Sequence, residues 1–126
     1  MIIIDSDILI WILRGNKEIR AQFEKAITQT GGSIFITPIQ LAELYAGIRE
    51  KEKLDTEKFL TTFSLINIDG KIGRLAGEFM NKYHKSHSIT IADALIAAST
   101  KICGLKLWTL NKKHYPMLEK VDFFLL

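Results

Sequence analysis

The chain contains 126 residues with a mass of 14.3 kDa; 48% of the residues are hydrophobic, 25% are charged, and there is one cysteine. This length fits one domain, which we expect to span residues 1–126, and the composition excludes a disordered, collagen-like or disulfide-rich chain. Seventeen Lys and Arg against fourteen Asp and Glu give a net charge of +3, which suits a polyanionic partner without requiring one.

Short runs typical of strands alternate along the chain with longer helical patterns, and capping residues mark where the helices begin. The first half is predicted to contain a strand at 2–4, a helix from Ser6 or Asp7 to residue 13, a helix between Asn16 and Gly31, a strand at 33–36 and a helix that begins at Thr37. The second half is predicted to contain a helix at 55–63, a strand at 65–68, a helix capped by Asp69, a helix from Thr90 to Gly104, a strand at 105–110, a loop at 111–117 and a strand at 121–125.

The alternation of strands and helices predicts parallel strand pairing with right-handed crossovers. We therefore predict an α/β, three-layer fold with a central, mainly parallel sheet of about five strands and helices on both faces. Ligands of such sheets collect at the carboxyl ends of the strands. Asp5, Thr37, Asp69 and Asn111 each follow a predicted strand, so a functional site is expected at this edge.

Signals for a membrane or for secretion are weak. The longest apolar run, residues 8–13, is much shorter than the roughly 20 residues that cross a bilayer. Asp5 and Asp7 interrupt the apolar amino terminus, so we expect no signal peptide. Cys103 has no partner for an internal disulfide, and its apolar helical neighbours predict a small buried side chain. Together these features predict a cytoplasmic protein that does not contact a membrane.

Three carboxylates stand where a solvated surface charge is not the obvious interpretation. Asp5 follows three isoleucines, Glu43 lies between apolar residues of a predicted helix, and Asp93 is the only charge in residues 88–100. A structural role explains each one taken alone: Asp5 as a helix cap, Glu43 as an exposed helical position, and Asp93 as the acid of a capping box with Thr90. Asp7, in the first turn of its helix, is favoured there by the helix dipole.

Taken together, the three acids predict a metal site. Their positions near strand ends, or in the first turns of the helices that follow, converge on one side of a parallel sheet. Carboxylates crowded there repel by roughly 3 kcal/mol per pair at about 5 Å and an effective dielectric of about 20, and a bound cation relieves that repulsion. Oxygen ligands without imidazole or thiolate favour Mg²⁺ or Mn²⁺ over zinc.

Five segments carry a resemblance to a known family: Ile2-Ile3-Ile4-Asp5-Ser6, Thr37-Pro38, Glu43-Leu44, Ile91-Ala92-Asp93-Ala94-Leu95-Ile96-Ala97-Ala98 and Leu107-Trp108-Thr109-Leu110-Asn111. By the order and spacing of these segments, the sequence resembles a PIN-domain ribonuclease of the VapC toxin type over essentially all 126 residues. The resemblance implies a PIN-like fold and a metal-dependent endoribonuclease that cleaves RNA phosphodiester bonds. It also implies Asp5, Glu43 and Asp93 as catalytic residues around Mg²⁺ or Mn²⁺, with Ser6 and Asn111 as polar support.

One position departs from the family's usual pattern. A fourth acid usually lies three residues after the asparagine, whereas this sequence has His114 there, which cannot supply a negative charge. A second metal position is therefore less expected than the first. The resemblance further implies a homodimer, and a VapB-type antitoxin that neutralises the toxin by placing an arginine among the acids.

Two neighbouring features have both a functional and a structural interpretation. Lys112 and Lys113 adjoin the predicted site and are candidates for RNA-binding residues that hold phosphates, or they belong to a solvated loop. Trp11, Tyr45 and Ile48 can form an apolar groove for the antitoxin, or they pack in the core.

Two other functions fit parts of the sequence. Asp5-Ser6-Asp7 after an apolar strand fits the DxD nucleophile motif of a haloacid-dehalogenase-like phosphatase. That class requires a lysine before a third strand and a late pair of acids, which this sequence lacks, and it leaves Glu43 and Asp93 unexplained. The non-enzymatic alternative is a catalytically inactive PIN module that acts through protein binding.

Overall fold

The computed structural model describes residues 1–126. The four strands are β1 (Ile2–Ile4), β2 (Ile34–Ile36), β3 (Ser64–Leu65) and β4 (Lys106–Trp108). The six α-helices are α1 (Ser6–Leu13), α2 (Lys17–Thr30), α3 (Pro38–Ala46), α4 (Lys53–Leu60), α5 (Gly70–His87) and α6 (Ile91–Ile102). Short 3₁₀ turns lie at Glu50–Glu52, Lys112–His114 and Lys120–Asp122. None of the helices combines the length and the apolar character that a membrane span requires.

The strands form one parallel sheet in the order β3-β2-β1-β4. Ile4 of β1 pairs with Trp108 of β4, and Ile3 of β1 pairs with Phe35 of β2. In this register, the residues that follow β1, β2 and β4 leave the sheet at the same level. The predicted edge for a functional site therefore exists in the folded chain.

The side chains of β1 divide the core into two layers. Ile3 packs with residues of α5 and α6 in a cluster of 15 buried residues, whereas Ile2 and Ile4 pack with α1, α2 and α3 in a cluster of 11. Successive side chains of a strand point to opposite faces, so a strand covered on both faces needs an unbroken apolar run. This arrangement confirms the predicted three-layer α/β fold.

The structure corrects the prediction of a fifth strand at 121–125, so the sheet has four strands. Lys120–Asp122 form a 3₁₀ turn instead, and Asp122 Oδ2 lies 2.7 Å from Lys101 Nζ. Only Phe123 extends the sheet, through an isolated parallel bridge to Leu107. A 3₁₀ turn, in which Asp122 Oδ2 also accepts from the Glu119 N–H at 2.8 Å, therefore replaces strand pairing beside β4.

Helix starts follow the predicted capping residues with one exception. The predicted caps of α2, α3, α5 and α6 are confirmed as Asn16, Thr37, Asp69 and Thr90. In contrast, α1 is capped by Asp5 rather than by Ser6 or Asp7, because Asp5 Oδ1 accepts a hydrogen bond from the Ser6 N–H. The prediction that Cys103 is buried is also wrong. Cys103 is the exposed C-cap residue of α6, and the next residue, Gly104, has a left-handed backbone conformation.

Candidate active site

The parallel register places the carboxyl ends of β1 and β4 side by side. The Asp5 N–H donates to the Trp108 carbonyl at 2.9 Å, so Asp5 and Thr109 leave the sheet together. On the other side of β1, Thr37 follows β2 and begins α3. Asp5 is only 7% exposed, and it is the most buried acid at this edge.

Both oxygens of the Asp5 carboxylate accept hydrogen bonds. Oδ1 accepts from the Ser6 backbone N–H, and Oδ2 accepts from the Thr109 hydroxyl and from the Tyr115 phenol hydroxyl, all at 2.8 Å. Burial and the charge of Asp5 raise the pKa of Tyr115 far above its ordinary value, so its hydroxyl remains a donor. Three donors therefore restrict the orientation of this carboxylate.

Asp7 has a different role from Asp5. Its Oδ1 accepts from the Ile8 N–H at 2.7 Å, and its Oδ2 accepts from the Leu110 N–H at 3.1 Å and from the Asn111 side-chain amide at 3.2 Å. Burial raises the pKa of Asp7, and the charge of Asp5 raises it further. Asp7 thus fastens the loop after β4 to the start of α1.

Glu43 reaches the same edge from α3, which Gln40 fastens to β1. The fully buried Gln40 side chain accepts from the Thr37 N–H at 2.9 Å and donates to the Ile4 carbonyl at 3.0 Å. One turn later along α3, Glu43 Oε1 accepts from the Ser6 hydroxyl at 3.0 Å. The buried Gln40 amide therefore fixes the position of α3, and with it the position of Glu43 relative to the start of α1.

Asp93 lies half-buried in the first turn of α6. Its backbone N–H donates to Thr90 Oγ1 at 3.1 Å, but the return bond of a capping box is absent. The Thr90 hydroxyl and backbone N–H nevertheless lie close enough to the Asp93 carboxylate to lower its pKa, so this carboxylate faces the cap, as the structural interpretation expects. Burial raises the pKa of Asp93, and the Thr90 hydroxyl and the nearby His114 imidazole oppose that shift.

The acids of this edge disfavour one another's ionisation. Partial burial is the main cause that raises the pKa of Glu43, and the charges of Asp5, Asp93 and Asp7 add to it. The charge of Asp5 likewise adds to the effect of burial on the pKa of Asp93. Neither of the two ion pairs in the chain includes any of these acids. No lysine or arginine therefore neutralises the negative charge of the cluster.

This uncompensated charge fits a hard divalent cation. Asp5, Glu43 and Asp93 offer only carboxylate oxygens, which are the ligands that Mg²⁺ and Mn²⁺ prefer. No three Asp, Glu, His or Cys side chains, however, converge as closely as the ligands of a bound metal do. The structure thus brings the three predicted acids to one edge of the sheet without a preformed ligand cluster.

The other predicted residues are divided between this edge and its surroundings. Ser6 and Asn111 bond to acids of the site, and His114 lies near Asp93. Lys113 is exposed on the 3₁₀ turn after β4. The Lys112 ammonium instead lies over the Phe123 ring, with Nζ 5.5 Å from the ring centre.

Three residues of the site are not predicted from the sequence: Gln40 as a link to β1, and Thr109 and Tyr115 as donors to Asp5. Thr109 follows β4 as Asp5 follows β1, so the strand register offers a signal for it. Gln40 lies three residues after Thr37, the spacing of a capping box, and this spacing indicates only a local role for its side chain. Tyr115 carries no sequence signal, because an aromatic residue in a short loop is most simply interpreted as core.

Asp93→Asn is expected to stabilise the chain in metal-free buffer. Because the folded state raises the pKa of Asp93, its charged form costs stability above the folded-state pKa, and the cost disappears as the pH falls towards the unfolded value near 3.8. We expect a gain in the free energy of unfolding at pH 7 and a smaller gain near pH 4.

Urea unfolding of both chains in the presence of a chelator measures this difference. Glu24→Gln, which removes an exposed charge from the middle of α2, is the control and should change stability little at either pH. A destabilised Asp93→Asn variant at pH 7 would contradict the electrostatic account of the site.

The fold and the edge of acids now define the class of protein. The PIN-domain family profile matches residues 2–122, and the chain belongs to the PIN-domain family.

Relatives within this family are similar over nearly the whole chain. Ribonuclease VapC10 of Mycobacterium tuberculosis is 37% identical over 122 residues, which cover 96% of this chain and 90% of the relative. Ribonuclease VapC19 of the same organism is 31% identical over 123 residues, or 97% and 98% of the two chains. A solved toxin–antitoxin complex from Klebsiella pneumoniae shares the fold with a TM-score of 0.77 at 24% identity, over 92% of this chain and 91% of that chain.

Proposed function

We propose that residues 1–126 act as a single PIN domain, a metal-dependent endoribonuclease toxin that a VapB-type antitoxin neutralises. The observation that carries this proposal is the group of acids at the carboxyl edge of the sheet, whose charge no lysine or arginine compensates. The VapC ribonucleases support RNA as the substrate, because the similarity extends over nearly all of their length.

Asp5, Glu43 and Asp93 are the residues that would hold Mg²⁺ or Mn²⁺. When bound, such a cation polarises a phosphodiester and supplies hydroxide from a bound water at neutral pH. Asp5 contributes a buried negative charge whose orientation three donors restrict. Asp93 contributes a second charge from the first turn of α6, beside the Thr90 cap.

Glu43 has two alternative roles: it shares the metal through a water, or it acts as the general base. The Ser6 hydroxyl holds Oε1 at 3.0 Å, so Oε2 is left to accept a proton from an attacking water. The place of Glu43 on the exposed rim of the site lets the proton pass to solvent.

The exposed Lys113 is the stronger of the two lysine candidates for contact with flanking phosphates, because Lys112 is directed towards Phe123. Contacts of this kind bind the RNA backbone without reading its sequence, and salt weakens them. RNA binding by this surface is therefore expected to be salt-sensitive and tolerant of sequence.

A cleft of about 140 Å³ beside Glu43 is the proposed position for an antitoxin segment. Its apolar lining consists of Ile10, Leu13, Leu44 and Ile48. Trp11 and Tyr45 are 42% and 37% exposed, which favours the groove alternative over core packing, although neither side chain lines this cleft. An antitoxin that binds here can direct an arginine to the acids. We further propose that two copies form a homodimer and that the toxin acts in the cytoplasm.

Cleavage of RNA by the purified chain tests the proposed function. Mn²⁺ or Mg²⁺ is expected to support cleavage, a chelator to abolish it, and the VapB-type antitoxin to inhibit it. A chain that binds the antitoxin but cleaves no RNA with either metal would instead be the inactive PIN module.

His114→Asp is expected to raise the activity with Mg²⁺ relative to that with Mn²⁺. An imidazole near Asp93 suits Mn²⁺ better than Mg²⁺, whereas a carboxylate serves both cations. The measurement is the cleavage rate against the concentration of each metal, in the parent and the variant. Thr62→Asp is the control, since it also replaces a neutral residue by an aspartate, at an exposed position after α4. Identical metal curves for the parent and His114→Asp would show that His114 does not belong to the site.

A further inference from the structure

Tyr115 is a buried residue of this site that has no role in the proposed reaction. It is 2% exposed within the core cluster of α5 and α6, and its hydroxyl donates to Asp5 Oδ2 at 2.8 Å. A phenylalanine would fill the same space without a polar atom to desolvate. The hydroxyl has no other hydrogen-bond partner. The hydrogen bond to Asp5 is therefore the one contact that a phenylalanine at this position would lose.

The chain on either side holds this hydroxyl in place. The Tyr115 N–H donates to the Lys112 carbonyl at 2.9 Å, which closes the 3₁₀ turn after β4. At the other end of the same loop, Thr109 Oγ1 donates to the same oxygen of Asp5 and accepts from the Asn111 N–H at 3.1 Å. Two hydroxyls from opposite ends of one loop therefore meet on Asp5 Oδ2.

We propose that Tyr115 is a positioning residue that holds the Asp5 carboxylate in the orientation in which it binds the divalent cation. This inference rests on the proposed function, because it takes Asp5 as a metal ligand. Groups that hydrogen-bond to a metal ligand orient it before the metal arrives, and their loss typically costs about 10–100-fold in metal affinity or activity. Since Tyr115 is buried, it acts on the reaction only through Asp5.

Tyr115→Phe removes only the hydroxyl and is expected to weaken Mn²⁺ binding by about tenfold or more. RNA cleavage should fall by a similar factor at low Mn²⁺ and recover towards the parental rate as Mn²⁺ is raised. The KM for RNA at saturating Mn²⁺ should not change, because the buried side chain does not reach the substrate. A purely structural role would lower the melting temperature without this recovery.

The experiment is a calorimetric titration of the metal-free chain with Mn²⁺, without RNA. Tyr83→Phe is the matched control, because it removes a hydroxyl from α5 that makes no hydrogen bond with Asp5, and it should bind Mn²⁺ as the parent does. Thr109→Val should also weaken binding. The double variant should lose less than the product of the two factors, because both hydroxyls hold one oxygen.

Three results would overturn the inference. Parental Mn²⁺ affinity in Tyr115→Phe overturns it and leaves the proposed function intact. A Tyr115→Phe chain that does not fold overturns it as well, because the hydroxyl would then serve the fold. A parent chain that neither binds Mn²⁺ nor cleaves RNA overturns the proposed function and this inference together.

Discussion

Replacing Asp5 or Asp93 with asparagine is expected to lower the rate of RNA cleavage by about a hundredfold or more. Asparagine keeps the shape of the side chain but removes the negative charge that a divalent cation needs. At Asp5, the new amide NH₂ would also replace one of the two oxygens that now accept hydrogen bonds. The measurement is the initial rate of cleavage at saturating Mn²⁺, with circular dichroism to show that each variant is folded.

Asp55→Asn is the matched control for this prediction, because it makes the same chemical change at an exposed position in the first turn of α4. It should cleave RNA at the parental rate. An Asp93→Asn variant that also retained the parental rate would remove Asp93 from the proposed site. The roles of Asp5 and Glu43 would then be tested separately, each by its own variant.

Mn²⁺ is expected to raise the melting temperature of the chain by roughly 10 °C at a concentration about a hundredfold above its Kd. A ligand that binds only the folded state contributes about 2.7 kcal/mol at that ratio, and 1 kcal/mol shifts the melting temperature of a domain of this size by roughly 4 °C. The uncompensated acids are the physical reason, since the cation removes their repulsion. Thermal unfolding without RNA, over a series of Mn²⁺ concentrations, measures the shift.

The same titration of Asp5→Asn serves as the control and should show little of the shift. Ca²⁺ is expected to stabilise the parent less than Mn²⁺ if the coordination geometry is strict. An unchanged melting temperature at millimolar Mn²⁺ would contradict a metal site at this edge, whatever the RNA assay showed.

These results bear on how stability and activity are balanced at this edge. Asp93 costs stability in the metal-free chain, because burial and the charge of Asp5 disfavour its ionised form. Proteins commonly tolerate such a cost where function requires it. We therefore expect Asp93→Asn to be more stable than the parent without metal, yet inactive, and no longer strongly stabilised by Mn²⁺.

Much of the fold follows from patterns that are local in the sequence. The isoleucines of β1 form a strand that is buried on both faces, and the capping box of Thr37 and Gln40 forms with both of its bonds. Such signals are reliable because the interacting groups lie within a few residues of one another. The strand predicted at 121–125 fails because another local pattern overrides its apolar residues: Asp122 Oδ2 accepts from the Glu119 N–H at 2.8 Å and closes a 3₁₀ turn.

The positions of the acids near strand ends also follow from the sequence, which identified Asp5, Glu43 and Asp93 as candidates through their unusual surroundings. Their hydrogen-bond donors follow only from the tertiary structure: Thr109 and Tyr115 lie 104 and 110 residues from Asp5 along the chain. The register of β4 against β1 brings these hydroxyls to the carboxylate, and that register depends on how the whole sheet packs against its two layers of helices. A local pattern cannot specify it, because each strand has only two or three residues in which to encode a partner.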